Sequence, residues 1–294
     1  MSADASQPRS TDPQPEPQSG GQQRPFRTGS EWPFFVVSGA IGGGYVLLLL
    51  ALLAADVAST SLEDLRAALT KPEILFAVRM TLVSCTLAAL ASLWVAVPLG
   101  YLLERFAFRG RGFVDAVLDI PVVLPPLVLG LSLLILFHLP IAGTTLEAFV
   151  QRSLGLQVTY APVAVVLAQF VVAAAFAIHS MRLTFARIDP RPEAIAMTLG
   201  CRRSQAFWRV AFPQAWRGMV AAFSIAWARS LGEFGPILVF AGATRMKTEV
   251  LSTTVFLELS VGRLEAAVAV SLVMVAAAVI VLGIVRLAGG RVAG

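Results

Sequence analysis

A pair of opposite charges sits in a stretch that otherwise suits lipid. The run ARSLGEFGPILVFAGA, Ala228 to Ala243, carries Arg229 and Glu233 four positions apart, on one face of a helix. A lone charge in hydrocarbon costs several kcal/mol, so the two should neutralise each other and turn toward the interior of a helix bundle, as a gate or a packing element. Gly232, Gly235 and Pro236 flank the pair and loosen the helix at the same level. Other combinations are poorer. Asp115 and Asp119 stand four apart but lie beside Arg109 and Arg111, and are expected to be solvated or paired with them at the membrane interface. His138 and His179 end apolar runs with no second His, Cys or carboxylate at ligand spacing, so no metal is expected. Cys85 falls in an apolar run and Cys201 in a polar link, which makes a bridge between them implausible. The lysines are Lys71 and Lys247, and neither ends a Gly-x4-Gly-Lys-Ser/Thr phosphate loop; in GATRMKT, Met246 stands where the glycine would be. Neither catalysis nor a cofactor is therefore expected of the chain.

The composition says what must position the charged pair. With 57% hydrophobic and 14% charged residues in 294, and a mean hydropathy of +0.77, the solvent for most of the chain is lipid. A crossing takes about 20 mostly apolar residues as helix, since a helix satisfies its own backbone where there is no water. Six runs qualify, at 34–55, 75–103, 113–137, 160–181, 214–241 and 264–287. The expected fold is thus all-α, with a membrane domain over 33–288, a link at 182–213 and a short tail at 289–294. Residues 1–32, rich in Pro, Gln and Ser, read as a disordered tail, and the run from Phe34 to Ala55 is too long for a cleaved signal peptide. The tail and the links after Leu103, Met181 and Leu287 hold roughly twice the Lys and Arg of the opposite links, so both termini are expected in the cytoplasm. The net charge of +5 is spread over these links and forms no stripe for nucleic acid.

Two features go beyond spanning. In IPVVLPPLVLG, Pro121, Pro125 and Pro126 each remove a helix donor, so the third span must be broken or kinked, either as a packing kink or beside a pathway. In the link, RIDPRPEAIAMTLGCRR offers Asp189 as N-cap, Pro190 at the first helical position and Gly200 just past the end. The arginines there fix topology, but a capped helix holding Ala194, Ile195, Ala196, Met197 and Leu199 is too apolar for a solvated loop and needs a partner. Ala194, Met197 and Cys201 would share one side of it. Elsewhere, DVASTSLEDLRAALTKPEI suggests a short external amphipathic helix capped by Ser61, and SGAIGGG spaces Gly39 and Gly43 four apart, as in helix-dimer motifs.

At this link the sequence resembles the permease subunits of ABC importers. Their signature is Glu-Ala-Ala, three residues, Gly, nine residues, then Ile-x-Leu-Pro. Here Gly200 is followed by nine residues and then Val210, Ala211, Phe212 and Pro213. Counting back from Gly200 puts Ala194 at the glutamate position, with Ile195 and Ala196 after it and Glu193 one place early. The stretches TLVSCTLAALASLWVAVPLGYLLERFAFRGRG, LDIPVVLPPLVLGLSLL and ARSLGEFGPILVFAGA narrow the resemblance to molybdate, tungstate and sulfate importers. Glu233-Phe234-Gly235 looks more like the molybdate branch, and sulfate or thiosulfate is the alternative. The resemblance implies the type I importer architecture in a bacterial inner membrane, two permease copies, a cytoplasmic ATPase dimer and an external binding protein. It also makes 190–199 the helix that couples ATPase to permease, with Glu193 to Met197, Gly200, Val210, Phe212 and Pro213 as its motif residues. Arg229, Glu233, Gly235, Pro125 and Pro126 are the pathway or gate candidates. A secondary transporter driven by ions is the contrasting class; it would show more polar residues within the spans.

Overall fold

The computed structural model describes residues 32–141 and 143–291. The tail expected over 1–32 therefore lies, apart from Trp32, outside the described residues. In chain order the helices are α1 (Trp32–Ala58), α2 (Leu62–Thr70), α3 (Pro72–Arg105), α4 (Arg111–Val123) and α5 (Pro126–His138). A two-stranded hairpin, β1 (Pro140–Ile141) with β2 (Thr144–Thr145), leads into α6 (Leu146–Leu154). Then come α7 (Pro162–Arg187), α8 (Arg191–Thr198), α9 (Arg203–Ala206), a π-helical turn at Phe207–Ala211, α10 (Phe212–Gln214), α11 (Trp216–Leu231), α12 (Gly235–Phe240), α13 (Leu251–Ser260) and α14 (Leu264–Arg291). The chain divides at Leu52 into two compact units. Within the first, residues 32–52 are the larger part of α1, an apolar helix that carries the Gly39 and Gly43 pair.

The second unit is built around α3, α7 and α11, which pack on one another through small side chains. Ala88, Ala89 and Ala96 on α3, Ala173 and Ala177 on α7, and Ala222 and Ala226 on α11 are buried. Small residues let the backbones approach, which matters in lipid because there is no hydrophobic force between helices. Gly100 shows the limit: a Cβ there would lie 2.8 Å from Cβ of Met181. The largest side chain buried in this core, Trp227, donates its Nε1 hydrogen to Thr86 Oγ1 at 3.3 Å.

Among the described helices, four are long and apolar enough to cross a membrane: Phe34–Ala58, Pro72–Arg105, Pro162–Arg187 and Leu264–Leu287. The third run is not one rod; α4 and α5 meet at 114°, with Pro125 as the cap of α5 and Pro126 in its first turn. The fifth run is also interrupted. It divides into α11 and α12 because Pro236 has no N–H to return to the carbonyl one turn earlier, and Gly232 to Phe234 leave the helix. Toward the C-terminus, α14 stays helical to Arg291, into the segment expected as a tail.

The two interrupted runs meet. α12 packs on α5, and this crossing rests on two glycines. A Cβ on Gly130 would lie 2.8 Å from Cα and 3.0 Å from O of Pro236, and one on Gly235 would lie 3.0 Å from N of Leu127. Those are backbone atoms and cannot step aside. Gly130→Ala should therefore cost about 1–3 kcal/mol by overpacking and lower the midpoint of thermal unfolding in detergent. Gly112→Ala, with no heavy atom within 4 Å of its Cβ, should leave the midpoint unchanged or raise it. Equal midpoints for the two variants would show that the crossing is loose.

Candidate functional site

The capped link helix forms where the local signals put it. Asp189 Oδ1 accepts from the N–H of Arg191 at 2.9 Å, and Pro190 already has helical dihedrals, φ −74° and ψ −13°. At the other end Gly200 adopts φ +93°, the N–H of Cys201 returns to Ala196 O at 3.0 Å and that of Gly200 to Met197 O at 3.1 Å. This is a Schellman stop, which needs glycine at the left-handed position.

The helix is then clasped to the end of α3. Glu193, only 5% exposed, accepts from Tyr101 Oη at 2.8 Å through Oε2 and from Arg105 Nε at 3.1 Å through Oε1, with the second guanidinium nitrogen 3.0 Å away. The same Arg105 donates to Ile188 O at 2.9 Å, just before the cap. Tyr101 is held among Phe185, Phe207 and Phe106, at centroid distances of 5.4, 4.7 and 6.1 Å, and Arg203 lies over the Phe106 ring at 4.7 Å. Turning Glu193 inward turns Ala194, Ile195 and Leu199 outward, while Ala196, Met197 and Cys201 are half-buried. The open apolar face is thus Ile195 with Leu199, and Ala194 does not share it with Met197. Val210 is half-buried in the π turn, Phe212 packs on Trp208 at 4.8 Å, and Pro213 is exposed in α10.

The second cluster lies at the break between α11 and α12. Arg229 Nη1 lies 2.7 Å from Glu233 Oε1, and the guanidinium carbon sits 5.3 Å from the Phe176 ring centre. The N–H of Glu233 returns to Ser230 O at 3.2 Å, and its carbonyl accepts from Ser252 Oγ at 2.8 Å. Next to it Gln169 donates to Ser230 O at 3.3 Å and to Cys85 Sγ at 3.5 Å. Gly235 touches Pro126, so the Pro125–Pro126 break and the Glu233–Gly235 break, read separately in the sequence, form one place.

Asp115 pairs with Arg111 as expected and Asp119 is largely exposed, but each also has a nearer partner that the sequence did not suggest. Asp115 binds Arg182 at 2.8 Å, with Arg111 at 3.9 Å, and Asp119 faces His179 Nε2 at 3.0 Å. Both partners lie on α7, because α4 lies along that helix with none of its own residues buried. Tyr101, Arg105 and Gln169 were not singled out in the sequence. A tyrosine and an arginine four apart at the end of a span fit an interfacial belt, and nothing local ties them to Glu193.

A third group lies between the last two apolar runs. Arg245 bridges Glu73 and Glu258, each at 2.8 Å, while Glu249 is buried and accepts from Thr254 Oγ1 at 3.1 Å. Burial pushes the Glu249 carboxyl above the usual carboxylate range, against the Thr254 hydrogen bond and the Arg245 charge.

A helical bundle with four helices long and apolar enough to cross a membrane, and with broken runs that converge on a charged pair, fits a polytopic membrane protein. Residues 96–293 match the family described as binding-protein-dependent transport system inner membrane component, and the chain belongs to that family. It is a permease subunit and not an enzyme. It is 31% identical over 238 residues to the sulfate transport system permease protein CysT of Escherichia coli K12, covering 81% of this chain and 84% of that one. It is 34% identical over 170 residues to the molybdate/tungstate transport system permease protein WtpB of Pyrococcus abyssi, covering 58% and 62%. In fold it is similar to a chain of the bacterial alginate ABC transporter solved in complex with alginate pentasaccharide-bound periplasmic protein. That match has a TM-score of 0.68 at 16% identity, over 89% of this chain and 95% of that one.

Two outcomes follow. Glu193→Ala strands a mostly buried arginine, at a cost of about 3 kcal/mol, so amide exchange in 191–199 should quicken roughly a hundredfold. Tyr101→Phe, which loses one hydrogen bond to a charge, should quicken it about tenfold; unchanged exchange would mean that α8 is held by something else. For Glu249, a folded-state pKa above the ordinary value means stability that is full at acid pH and declines as pH rises through the raised value. Glu249→Gln should flatten that decline and raise the unfolding midpoint at neutral pH, measured by thermal scans across pH.

Proposed function

We propose that this chain is the membrane subunit of an ATP-driven importer of tetrahedral oxyanions, working as two copies on a cytoplasmic ATPase dimer and supplied by an external binding protein. The observation that carries the reading is α8: a short helix capped at both ends, clasped through Glu193, with Ile195 and Leu199 left open. A helix of eight residues has no stability alone, and its open apolar side calls for a partner protein. In this reading α8 is the coupling element, and Glu193 to Met197, Gly200, Val210, Phe212 and Pro213 form the surface and its support. The break formed by Pro125, Pro126, Arg229, Glu233 and Gly235 is the gate. The proposed topology has six crossings of a bacterial inner membrane with both termini inside, counting α4–α5 and α11–α12 as one broken crossing each. The distribution of arginines supports that orientation.

Glu233-Phe234-Gly235 favours molybdate or tungstate, whereas the longer of the two matches described is to a sulfate permease. The test is reconstitution in proteoliposomes with the ATPase and binding protein of the same importer, following uptake of labelled sulfate, molybdate and tungstate. Uptake should require ATP and all three components, and Leu199→Glu should abolish it while the protein still inserts. Uptake by the permease alone without ATP would make it a secondary transporter. Uptake of sulfate and of neither metal oxyanion would fix the alternative substrate.

A further inference from the structure

The two members of the intramembrane pair are not equivalent. The Glu233 side chain is 1% exposed and that of Arg229 34%. Glu233 is pinned through its backbone, to Ser230 on one side and Ser252 on the other. Arg229 is ion-paired with Glu233 through Nη1 and Oε1 and leans on Phe176, but none of the five N–H donors of its guanidinium makes a well-aligned hydrogen bond to a described residue. A third of a charged side chain cannot face hydrocarbon at this depth, so its open part faces water or another polar surface. Of the exposed residues near it, Ala228 on α11 and Gly232 just past its end are small and leave room, while Ile225 one turn earlier is large and apolar. Behind it Gln169 Oε1, Ser230 Oγ and both carboxylate oxygens of Glu233 are buried without a hydrogen-bond partner among the described residues, as polar atoms are where water enters.

We infer that Arg229 is the intramembrane contact of the transported oxyanion, and that Glu233 is the counter-charge that keeps this contact weak. The inference rests on the function proposed above. A dianion crossing a low-dielectric passage needs a cation on the way, but a lone desolvated cation would hold it. Passage requires binding strong enough to enter and weak enough to leave. Glu233 offsets part of the Arg229 field and orients the guanidinium, whose remaining donors form a planar fork able to take two oxygens of one oxyanion. Sulfate, molybdate and tungstate share that geometry, so the site selects the class and not the member.

The experiment compares wild type, Arg229→Gln, Arg229→Lys and the exchange Arg229→Glu with Glu233→Arg. Each is reconstituted with the ATPase and loaded binding protein, and oxyanion uptake and stimulated ATP hydrolysis are read in the same vesicles. Arg229→Gln should take up at least tenfold less oxyanion per ATP, and Arg229→Lys should fall between it and wild type. The exchanged pair keeps both charges but moves the cation to the closed position, so it should hydrolyse ATP without uptake. A pair that only holds helices together would be rescued by the exchange; rescue, or wild-type uptake by Arg229→Gln, overturns the inference. Should the exchanged protein not assemble, the single variants decide: equal uptake by Lys and Gln overturns the inference, and faster uptake by Lys supports it. Absence of any oxyanion uptake by wild type would instead overturn the proposed function before any substitution is compared.

Discussion

The carboxylate of Glu193 is the interaction on which the attachment of α8 to the long helices depends. A buried carboxylate is tolerated only where its oxygens are taken up, and here both are: Oε2 by Tyr101 and Oε1 by Arg105. Because Arg105 also reaches Ile188 O, one side chain from α3 fastens both the chain leaving α7 and the helix that follows. The aromatic ring of Tyr101 is itself wedged among Phe185, Phe207 and Phe106. An eight-residue helix therefore behaves as an extension of the long ones, and a force applied to its open face would reach them without being lost in a flexible link.

Among the apolar runs the governing constraint is different. Each interruption of a helix frees backbone groups that lipid cannot satisfy, so breaks survive only against protein or water. The two breaks here lie against each other, brought to backbone contact by Gly130 and Gly235. The Glu233 carbonyl, free of a regular helix, is taken by Ser252. Two liabilities placed together become one polar nucleus, and the charges of Arg229 and Glu233 share it.

What could be read from the sequence was what is local. Asp189, Pro190 and Gly200 act within a few residues of themselves, and the helix they bound has the ends they imply. The Arg229–Glu233 pair is one turn apart and forms as a pair. Glu193 was not legible in the same way: its partners are 88 and 92 positions earlier. Periodicity also misleads there, because α8 keeps its apolar Ile195 and Leu199 on the open side and its acid on the buried one. Reasoning from the nearest charge found Arg111 beside Asp115 but missed the closer partners of Asp115 and Asp119 for a related reason. The rotation of α4 toward α7 is set by packing, and Arg182 and His179 then lie closer than the arginines adjacent in sequence.

The two sites are joined by a nearly continuous helical path. From Arg203 the chain runs through α9, the π turn and α10 into α11, and the π turn accommodates Pro213 by letting the N–H of Phe212 return to Phe207 O, one residue further back than usual. α11 then carries Arg229 near its far end, while the backbone of Glu233 is tied to Ser252 in α13. On the proposed reading, a small rotation of α11 driven from α8 would turn Arg229 relative to an anchored Glu233. The strength of the cation presented to a passing anion would then change with the state of the ATPase, because the counter-charge belongs to the part that stays behind.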